Sequence, residues 1–304
     1  MNRNYKTALN CLTNNSLAVR IIFSIIFLSL TCCNFKAKET AGDEKIIYKD
    51  EDVRILEQIF ELFANDTKLP TSILMVKLGT YFQGTPYVGH TLEAEGEEQL
   101  VINLREMDCT TLVENCLALA KTIQNGEPDF SRFASRLKNI RYRSGIINGY
   151  PSRLHYTTDW FFDNQQKKLV RNLSKEIGGK PCSGEINFMS THIESYRQLK
   201  ENPEWVEMII QQEKEINSRR CYFLPKEKLH EAEDQLNDGD IVGITTSIKG
   251  LDVSHMGILV RKSGRIHLLH ASSSAGKVLL SEETLEEYLM NSKSATGIII
   301  ARVL

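Results

Sequence analysis

Hydrophobic residues follow a helical spacing early in the chain and a strand-like pattern near its end. Between residues 50 and 82, apolar residues recur every three or four positions on both sides of Pro70, which predicts two helices. After residue 238 the segments "GDIVGITTS", "DVSHMGILVRK", "RIHLLHASSS", "KVLLS" and "TGIIIARVL" are short β-branched runs separated by Gly, Ser and Lys. Such runs predict an antiparallel meander. Helices followed by consecutive strands indicate an α+β fold.

The segment "LREMDCTTLVENCLAL" places two cysteines on one predicted helix, with Asp108 as a suitable N-cap. The apolar stripe of this helix comprises Leu112, Val113, Cys116, Leu117 and Ala120. Cys116 belongs to this buried stripe, whereas Cys109 lies at the positive end of the helix. Because the helix dipole and free N–H groups stabilise a thiolate there, we expect a lowered pKa for Cys109 and a role as nucleophile.

A cysteine nucleophile needs a nearby base, and the meander offers two histidines. Alternation puts Val253, His255, Gly257 and Leu259 on one face of their strand, and His270 shares a face with Ile266 and Leu268. A turn at Lys262-Ser263 or Ser263-Gly264 makes His255 and His270 direct or diagonal neighbours. The pair could instead be satisfied core residues, or metal ligands with Cys109 as the third. Because no carboxylate or further histidine has supporting spacing, we expect no metal.

Five strings together resemble the NlpC-type cell-wall hydrolases, which are papain-like cysteine amidases and peptidases of bacterial peptidoglycan. They are "GTPYVG", "DCTTLVE", "GDIV", "SHMGILV" and "HASSSAG", in that order between about residues 80 and 275. The strings "YRSGIINGYPSRLHYTTDW" and "GLDVSHMG" are similar to a narrower branch, the N-acetylmuramoyl-L-alanine amidases. The resemblance implies a papain-like fold in which the helix that bears the nucleophile packs on an antiparallel sheet.

The resemblance also implies roles for individual residues. Cys109 is the expected nucleophile, His255 the general base and acid, and His270 the residue that orients His255. Tyr87 is expected beside the nucleophile, where its hydroxyl helps the Cys109 backbone N–H to stabilise the oxyanion. The neighbours Asp108, Thr110 and Ser254 are candidates for substrate contact.

About 100 residues separate the cysteine helix from the histidine strands, more than a minimal NlpC domain carries. This insertion of helices and loops includes an aromatic, loop-like run over residues 142–162. Arg153, His155, Tyr156 and Trp160 there suit recognition of a sugar or a peptide carboxylate, and we expect them to bind substrate. The alternative is that Trp160 and the two phenylalanines after it form a satellite cluster that holds the insertion to the core.

The N-terminus has the features of an export signal. Arg3, Lys6 and Arg20 precede the apolar run "IIFSIIFLSL", which is followed by "TCCN". This order resembles a bacterial lipoprotein signal over residues 1–33 with lipidation at Cys33, or else at Cys32. A cleaved signal and a free periplasmic protein is the alternative. We expect a flexible tether over 34–49 and a single catalytic domain over 50–304.

Export has consequences for the remaining cysteines and for the location of the protein. Cys182 and Cys221 could form a disulfide in an oxidising compartment, which the sequence alone leaves open. We expect an exported protein, anchored by lipid in the bacterial cell envelope and otherwise without contact to the membrane.

The expected reaction is hydrolysis of the N-acetylmuramoyl-L-alanine amide bond by a Cys-His-His mechanism through an acyl-enzyme. The alternatives are a D-glutamyl-diaminopimelate endopeptidase, a non-catalytic wall-binding lipoprotein and a soluble acyltransferase on the same fold. A formal net charge of −2 over 304 residues gives no reason to expect nucleic acid as a partner. We expect a monomer without a cofactor, and the resemblance implies that it acts on muropeptides or peptidoglycan.

Overall fold

The computed structural model describes residues 45–126 and 128–304. The expected signal segment, the lipidation site at Cys33 or Cys32 and most of the tether lie outside the described residues. The end of the tether differs from the prediction, because Ile46–Ile47 forms a short strand (β1) paired in parallel with Leu100–Val101 (β2). Within the described residues, no helix is both long and apolar enough to span a membrane.

Ten α-helices occur in the described part of the chain. They are α1 (Asp50–Leu62), α2 (Thr71–Tyr81), α3 (Cys109–Ile123), α4 (Phe130–Arg141), α5 (Thr157–Gln166), α6 (Phe188–Thr191), α7 (Arg197–Glu201), α8 (Pro203–Ser218), α9 (Leu229–Ala232) and α10 (Leu285–Asn291). Short 3₁₀ turns lie at Arg143–Gly145, Tyr150–Ser152, Ile193–Ser195, Lys226–Lys228 and Glu233–Gln235.

The remaining strands form one sheet. They are β3 (Val170–Asn172), β4 (Lys180–Pro181), β5 (Tyr222–Pro225), β6 (Ile241–Thr246), β7 (Val253–Lys262), β8 (Arg265–Ser272), β9 (Lys277–Thr284) and β10 (Ala295–Val303). The order β4-β5-β10-β6-β7-β8-β9 confirms the α+β class and the antiparallel meander of β6 to β9. The last strand does not extend the meander but returns to lie between β5 and β6, with β3 also paired to it.

Both faces of the sheet are covered. One face packs against α1 to α5 in a core that includes Cys116, as predicted, together with Ile258 and Leu269. The other face packs against α9 and α10 around Leu259 and Leu268. Helix α3 therefore lies on the sheet with Cys109 at its first position. Its residues 111–120 are all buried, so packing on every side fixes the direction of the helix.

The insertion has a small core of its own. Its buried residues are Tyr150, Tyr156, Met189, Leu199, Ile209 and Ile216. Cys182 and Cys221 form a disulfide with a Cα–Cα distance of 5.2 Å. It joins the two ends of the segment between them, next to the paired strands β4 and β5. The aromatic run predicted as a loop is wrong in its last part, because residues 157–162 begin α5, with Asp159 favourable in its first turn.

The hairpin between β7 and β8 closes through a two-residue turn. Lys262 pairs with Arg265, and Ser263 and Gly264 both have positive φ, 52° and 83°. This is the conformation of a type I′ turn, which suits the twist of the flanking strands. Because Ile258 pairs with Leu269, His255 and His270 are diagonal neighbours, which is one of the two predicted arrangements.

Candidate active site

Cys109 is the first residue of α3, and Asp108 caps the helix. The Asp108 carboxylate accepts hydrogen bonds from the backbone N–H of Thr111 at 2.8 Å and from its hydroxyl at 2.9 Å. The Thr111 hydroxyl oxygen in turn accepts a hydrogen bond from the Asp108 backbone N–H at 2.9 Å. This capping box fixes the start of the helix and with it the position of the thiol.

A β-bulge in β7 lies next to the histidine pair. Ile244 pairs with His255 but Thr245 pairs with Val253, so Ser254 is an extra residue. The prediction that Val253 shares a face with His255 is therefore wrong, because the bulge turns Val253 towards the core beneath α3. His255 lies on the same face of β7 as Leu259, as predicted.

The strands β7 and β8 separate at the level of Cys109. Their pairing begins at Ile258 and Leu269, so His255, Met256 and Gly257 have no ladder partner on β8. A backbone hydrogen bond from Met256 reaches the Cys109 sulfur. The thiol thus lies against the residue that directly follows His255.

The two imidazoles are joined by a hydrogen bond of 2.6 Å between His255 Nε2 and His270 Nδ1. Their rings are nearly perpendicular, at 86°, with centroids 4.8 Å apart. When the shared proton is on His255 Nε2, His255 Nδ1 is left with a free lone pair and can accept a proton. His270 is 3% exposed and holds this orientation from within the fold.

The predicted lowering of the thiol pKa is wrong. Burial, followed by the Asp108 charge, raises the pKa of Cys109 to about 11, although hydrogen bonds from Met256 and Thr110 oppose the increase. Burial lowers the pKa of His255 to about 3, with a further contribution from His270, and lowers that of His270 to about 4. At neutral pH the thiol and both imidazoles are uncharged. The resting site therefore holds no thiolate, and the thiol proton must be transferred to a base during the reaction.

Tyr87 lies close enough to Cys109 for their charges to interact. Burial raises the pKa of Tyr87, and the Cys109 and Asp108 charges raise it further. Its backbone is held by a hydrogen bond to Gly276 at 2.9 Å and by a bridge to Met107. Tyr87 therefore keeps its proton at neutral pH, and its hydroxyl can donate to an anion beside Cys109.

Tyr288 of α10 belongs to the site, and sequence reasoning missed it. Its ring lies parallel to His255, with centroids 6.3 Å apart at 22°, and edge-on to His270, at 5.6 Å and 87°. The charge of Cys109 contributes to a raised pKa for Tyr288, behind burial and Glu283. No sequence motif includes this residue. It lies in a seven-residue helix whose contact with the histidines is formed only in the tertiary structure.

The residues next to the catalytic candidates remain candidates for substrate contact. The Thr110 hydroxyl lies 4.0 Å from Cys109 Sγ and 3.7 Å from the Met256 sulfur. Ser254 is exposed in the bulge, and its hydroxyl lies 3.4 Å from the Ile244 carbonyl. Asp108 is used as the helix cap, which leaves one of its oxygens for other contacts.

Two of the aromatic candidates are structural. Trp160 is 1% exposed and donates from Nε1 to Glu114, which also pairs with buried Arg141. Tyr156 donates to Glu213 at 2.6 Å and accepts from the Met189 backbone at 2.8 Å. Because both polar groups are used inside the protein, the expectation that they bind substrate does not hold.

Arg153 and His155 lie together against Tyr150. Arg153 is buried, with ion pairs of 3.2 Å to Glu93 and 3.3 Å to Glu98, and its guanidinium lies 4.9 Å from the Tyr150 ring. His155 Nε2 hydrogen-bonds the Tyr150 carbonyl at 3.0 Å, and burial lowers its pKa to about 3. Their role in substrate binding stays a prediction.

One cluster has the composition of a metal site. His230, Glu233 and Glu286 bring three donor atoms within 4.8 Å of one another. However, Arg265 pairs with both carboxylates, at 3.0 Å to Glu233 and 2.6 Å to Glu286. Since a guanidinium already neutralises the donors, the residues present do not fit a cation.

Taken together, the fold and the site define an α+β protein in which a cysteine at a helix N-terminus contacts the backbone of Met256, the residue that follows one member of a hydrogen-bonded histidine pair. The family model described as AmiA-like, N-acetylmuramoyl-L-alanine amidase-like, matches residues 77–298. The chain belongs to this family. Among curated proteins, no sequence matches the chain.

Three solved structures are similar to the chain in fold, and two of them also in sequence. An N-acetylmuramoyl-L-alanine amidase from Bacteroides uniformis is 39% identical, with a TM-score of 0.74 over 77% of this chain and 99% of that one. A Bacteroides fragilis protein named as a candidate xylanase is 41% identical, with a TM-score of 0.72 over 75% of this chain and 100% of that one. A Legionella pneumophila protein, 22% identical with a TM-score of 0.62 over 83% of this chain and 95% of that one, shares the fold.

Proposed function

We propose that the protein hydrolyses the amide bond between N-acetylmuramic acid and L-alanine in muropeptides, with Cys109 as the nucleophile. The observation that carries the proposal is the 2.6 Å hydrogen bond that holds His255 beside the strand residue contacting the Cys109 sulfur. Membership of an amidase-like family supports a peptidoglycan amide as the substrate. The order of the nucleophile helix and the histidine strands supports a place among the papain-like NlpC hydrolases.

In the proposed mechanism, His255 Nδ1 removes the thiol proton as Sγ attacks the lactyl carbonyl of the muramic acid. The new positive charge on His255 is stabilised because its Nε2–H donates to neutral His270. The oxyanion lies near the Cys109 backbone N–H and the Tyr87 hydroxyl, and such fixed donors lower a barrier by roughly 3 to 4 kcal/mol.

Collapse of the tetrahedral intermediate breaks the C–N bond. His255 gives its proton to the departing amine of L-alanine, leaving a thioester between Cys109 and the lactyl carbonyl. Water then donates a proton to His255 as its oxygen attacks the thioester. Collapse of this second intermediate breaks the C–S bond, His255 returns the proton to Cys109 Sγ, and the free acid is released with the thiol and neutral His255 regenerated. Both histidines have low pKa values, so they are neutral at the start of each half-reaction.

Glycoside hydrolysis, which the name of the Bacteroides fragilis protein suggests, fits this site less well. That reaction needs two carboxyl groups flanking the scissile bond. Asp108 is the carboxylate whose charge acts on Cys109, and it is occupied by the helix cap. The endopeptidase alternative uses the same residues and differs in the bond that is cut.

Products from a defined disaccharide-peptide distinguish these possibilities. We expect wild-type protein to release free disaccharide and an intact peptide, as measured by mass spectrometry. Cys109→Ala should abolish release, whereas Cys116→Ala, which removes a buried thiol of the same helix, should retain activity. A cut inside the peptide, or full activity in Cys109→Ala, would refute the proposal.

We also propose that the protein is exported and anchored through a lipid on Cys33. The apolar run followed by "TCCN" supports this location. Metabolic labelling with a fatty-acid analogue should mark wild-type protein and leave Cys33→Ala unmarked. Labelling that persists in Cys33→Ala and disappears in Cys32→Ala would move the anchor by one residue.

A further inference from the structure

A cavity of about 730 Å³ lies between the insertion and the sheet, outside the catalytic group. Its walls include the disulfide Cys182–Cys221, one side of α5 and the segment from Thr245 to Asp252 that joins β6 to β7. The volume falls in the range of sites that hold small molecules or short peptides. The disulfide covalently links the two chain segments that form one wall of the cavity.

The charged groups around this cavity are mostly cationic. Four are positive, namely Lys175, Arg219, Arg220 and Lys249, and two are carboxylates, Glu185 and Asp252. Asp252 is satisfied internally, since one oxygen accepts from the backbone and hydroxyl of Thr158, each at 2.8 Å, and the other from the Val253 backbone at 2.7 Å. The cavity therefore favours an anion.

Three of the four cations have no carboxylate partner within residues 45–126 and 128–304. Arg219 pairs with Asp159 at 2.5 Å, but Lys175, Arg220 and Lys249 form no ion pair there. Their charges are available to a ligand, and a carboxylate is the group that both ammonium and guanidinium bind well.

The aromatic rings of the cavity are already engaged by cations. The Arg219 guanidinium lies 3.8 Å from the Phe162 ring, Lys175 lies 5.3 Å from Tyr222, and Lys180 lies 5.2 Å from Phe223. A neutral sugar is usually held by stacking on an open aromatic face. The cavity thus favours carboxylates over a saccharide.

The cavity lies close to the catalytic group along β7. Asp252 lines it, and His255 follows three residues later, which corresponds to at most about 10 Å because the bulge at Ser254 interrupts the extended strand. Two or three residues of an extended peptide span about the same distance. A peptide attached at the scissile bond can therefore place its second and third residues in the cavity.

We propose that this cavity binds the acidic peptide stem of the substrate, with Arg220 and Lys249 holding its carboxylates. The inference rests on the proposed function, because a muropeptide carries the carboxylates of D-glutamate and diaminopimelate just beyond L-alanine. The saccharide then lies on the opposite side of Cys109.

Binding to full-length Cys109→Ala protein tests this without any turnover. The probe is the tripeptide L-Ala–γ-D-Glu–diaminopimelate, measured by isothermal titration calorimetry. Replacing both cations, in Arg220→Gln/Lys249→Gln, should weaken binding by about 2- to 30-fold, as expected for two exposed charge contacts. Lys214→Gln, the same change on α8 outside the cavity, should leave binding unchanged.

A second variant tests the cavity rather than its charge. Ser247→Trp places a large ring at an exposed position of the wall and should also weaken tripeptide binding, as should amidation of the peptide carboxylates. Equal affinity in all variants, or wild-type binding to the disaccharide and not to the tripeptide, would overturn the inference. These binding measurements do not depend on which bond is cut. Failure of the cavity to bind the tripeptide is therefore distinguishable from failure of the amidase assay.

Discussion

His270 is the residue whose replacement tests the arrangement of the site most sharply. In the proposed mechanism, His270 accepts the Nε2–H of His255 at 2.6 Å while His255 Nδ1 takes the thiol proton. Because His270 is 3% exposed, truncation to alanine would also leave a hole. Leucine and asparagine come closer to filling the position and differ in whether an acceptor remains.

The magnitude follows from the charge on His255 during the reaction. A hydrogen bond to a charged group contributes about 1.5 to 3 kcal/mol, and each 1.36 kcal/mol changes a rate about tenfold. His270→Leu should therefore lower kcat/KM by about 10- to 100-fold. His270→Asn should lose less than about tenfold, because its Oδ1 can occupy the position of Nδ1.

The assay is kcat/KM for release of disaccharide from a defined muropeptide, with thermal unfolding of each variant as a control for folding. The two variants should differ in rate while both remain folded at the assay temperature. Equal rates for leucine and asparagine, or wild-type activity in His270→Leu, would refute this role of His270.

Three further predictions concern the surroundings of the site. His155 is neutral in the folded protein with a pKa of about 3, so protonation of the unfolded chain below pH 6.5 opposes folding by about 1.4 kcal/mol per pH unit. His155→Gln should flatten the fall in urea stability between pH 6.5 and 5 by about this slope, and an unchanged slope would contradict it. Tyr288→Leu should lower kcat/KM by about 3- to 10-fold through loss of its ring contacts with the histidines, whereas Tyr288→Phe should keep most activity; equal losses would assign the effect to the hydroxyl. Glu114→Ala leaves buried Arg141 unpaired and should cost about 3 to 5 kcal/mol in urea unfolding, and a loss below about 1 kcal/mol would contradict that role.

The helices on either side of Pro70, the cysteine helix, the meander of β6 to β9 and the histidine pair could be predicted from the sequence, because each depends on local periodicity or on a short hairpin. The position of Cys109 at the start of α3 followed from Asp108 and the apolar stripe after it. The diagonal arrangement of His255 and His270 follows from the position of the turn between their strands, which sets the register of the hairpin.

Other features depend on contacts that local patterns do not encode. The bulge at Ser254 reverses the facing of Val253 without a glycine or proline to mark it. The raised pKa of Cys109 comes from burial under the surrounding fold, which outweighs the helix end. Trp160 and Tyr156 looked suited to ligand recognition, but their hydrogen bonds to Glu114 and Glu213 required the tertiary structure.

The central claim is that the substrate becomes covalently attached to Cys109. The most direct test mixes wild-type protein with a defined disaccharide-peptide, quenches in acid within milliseconds and measures the mass of the intact protein and of its Cys109 peptide. We predict a transient increase equal to the disaccharide acyl group, located on Cys109. An adduct that carries the peptide instead, an adduct on another residue, or rapid turnover by Cys109→Ala would contradict the account.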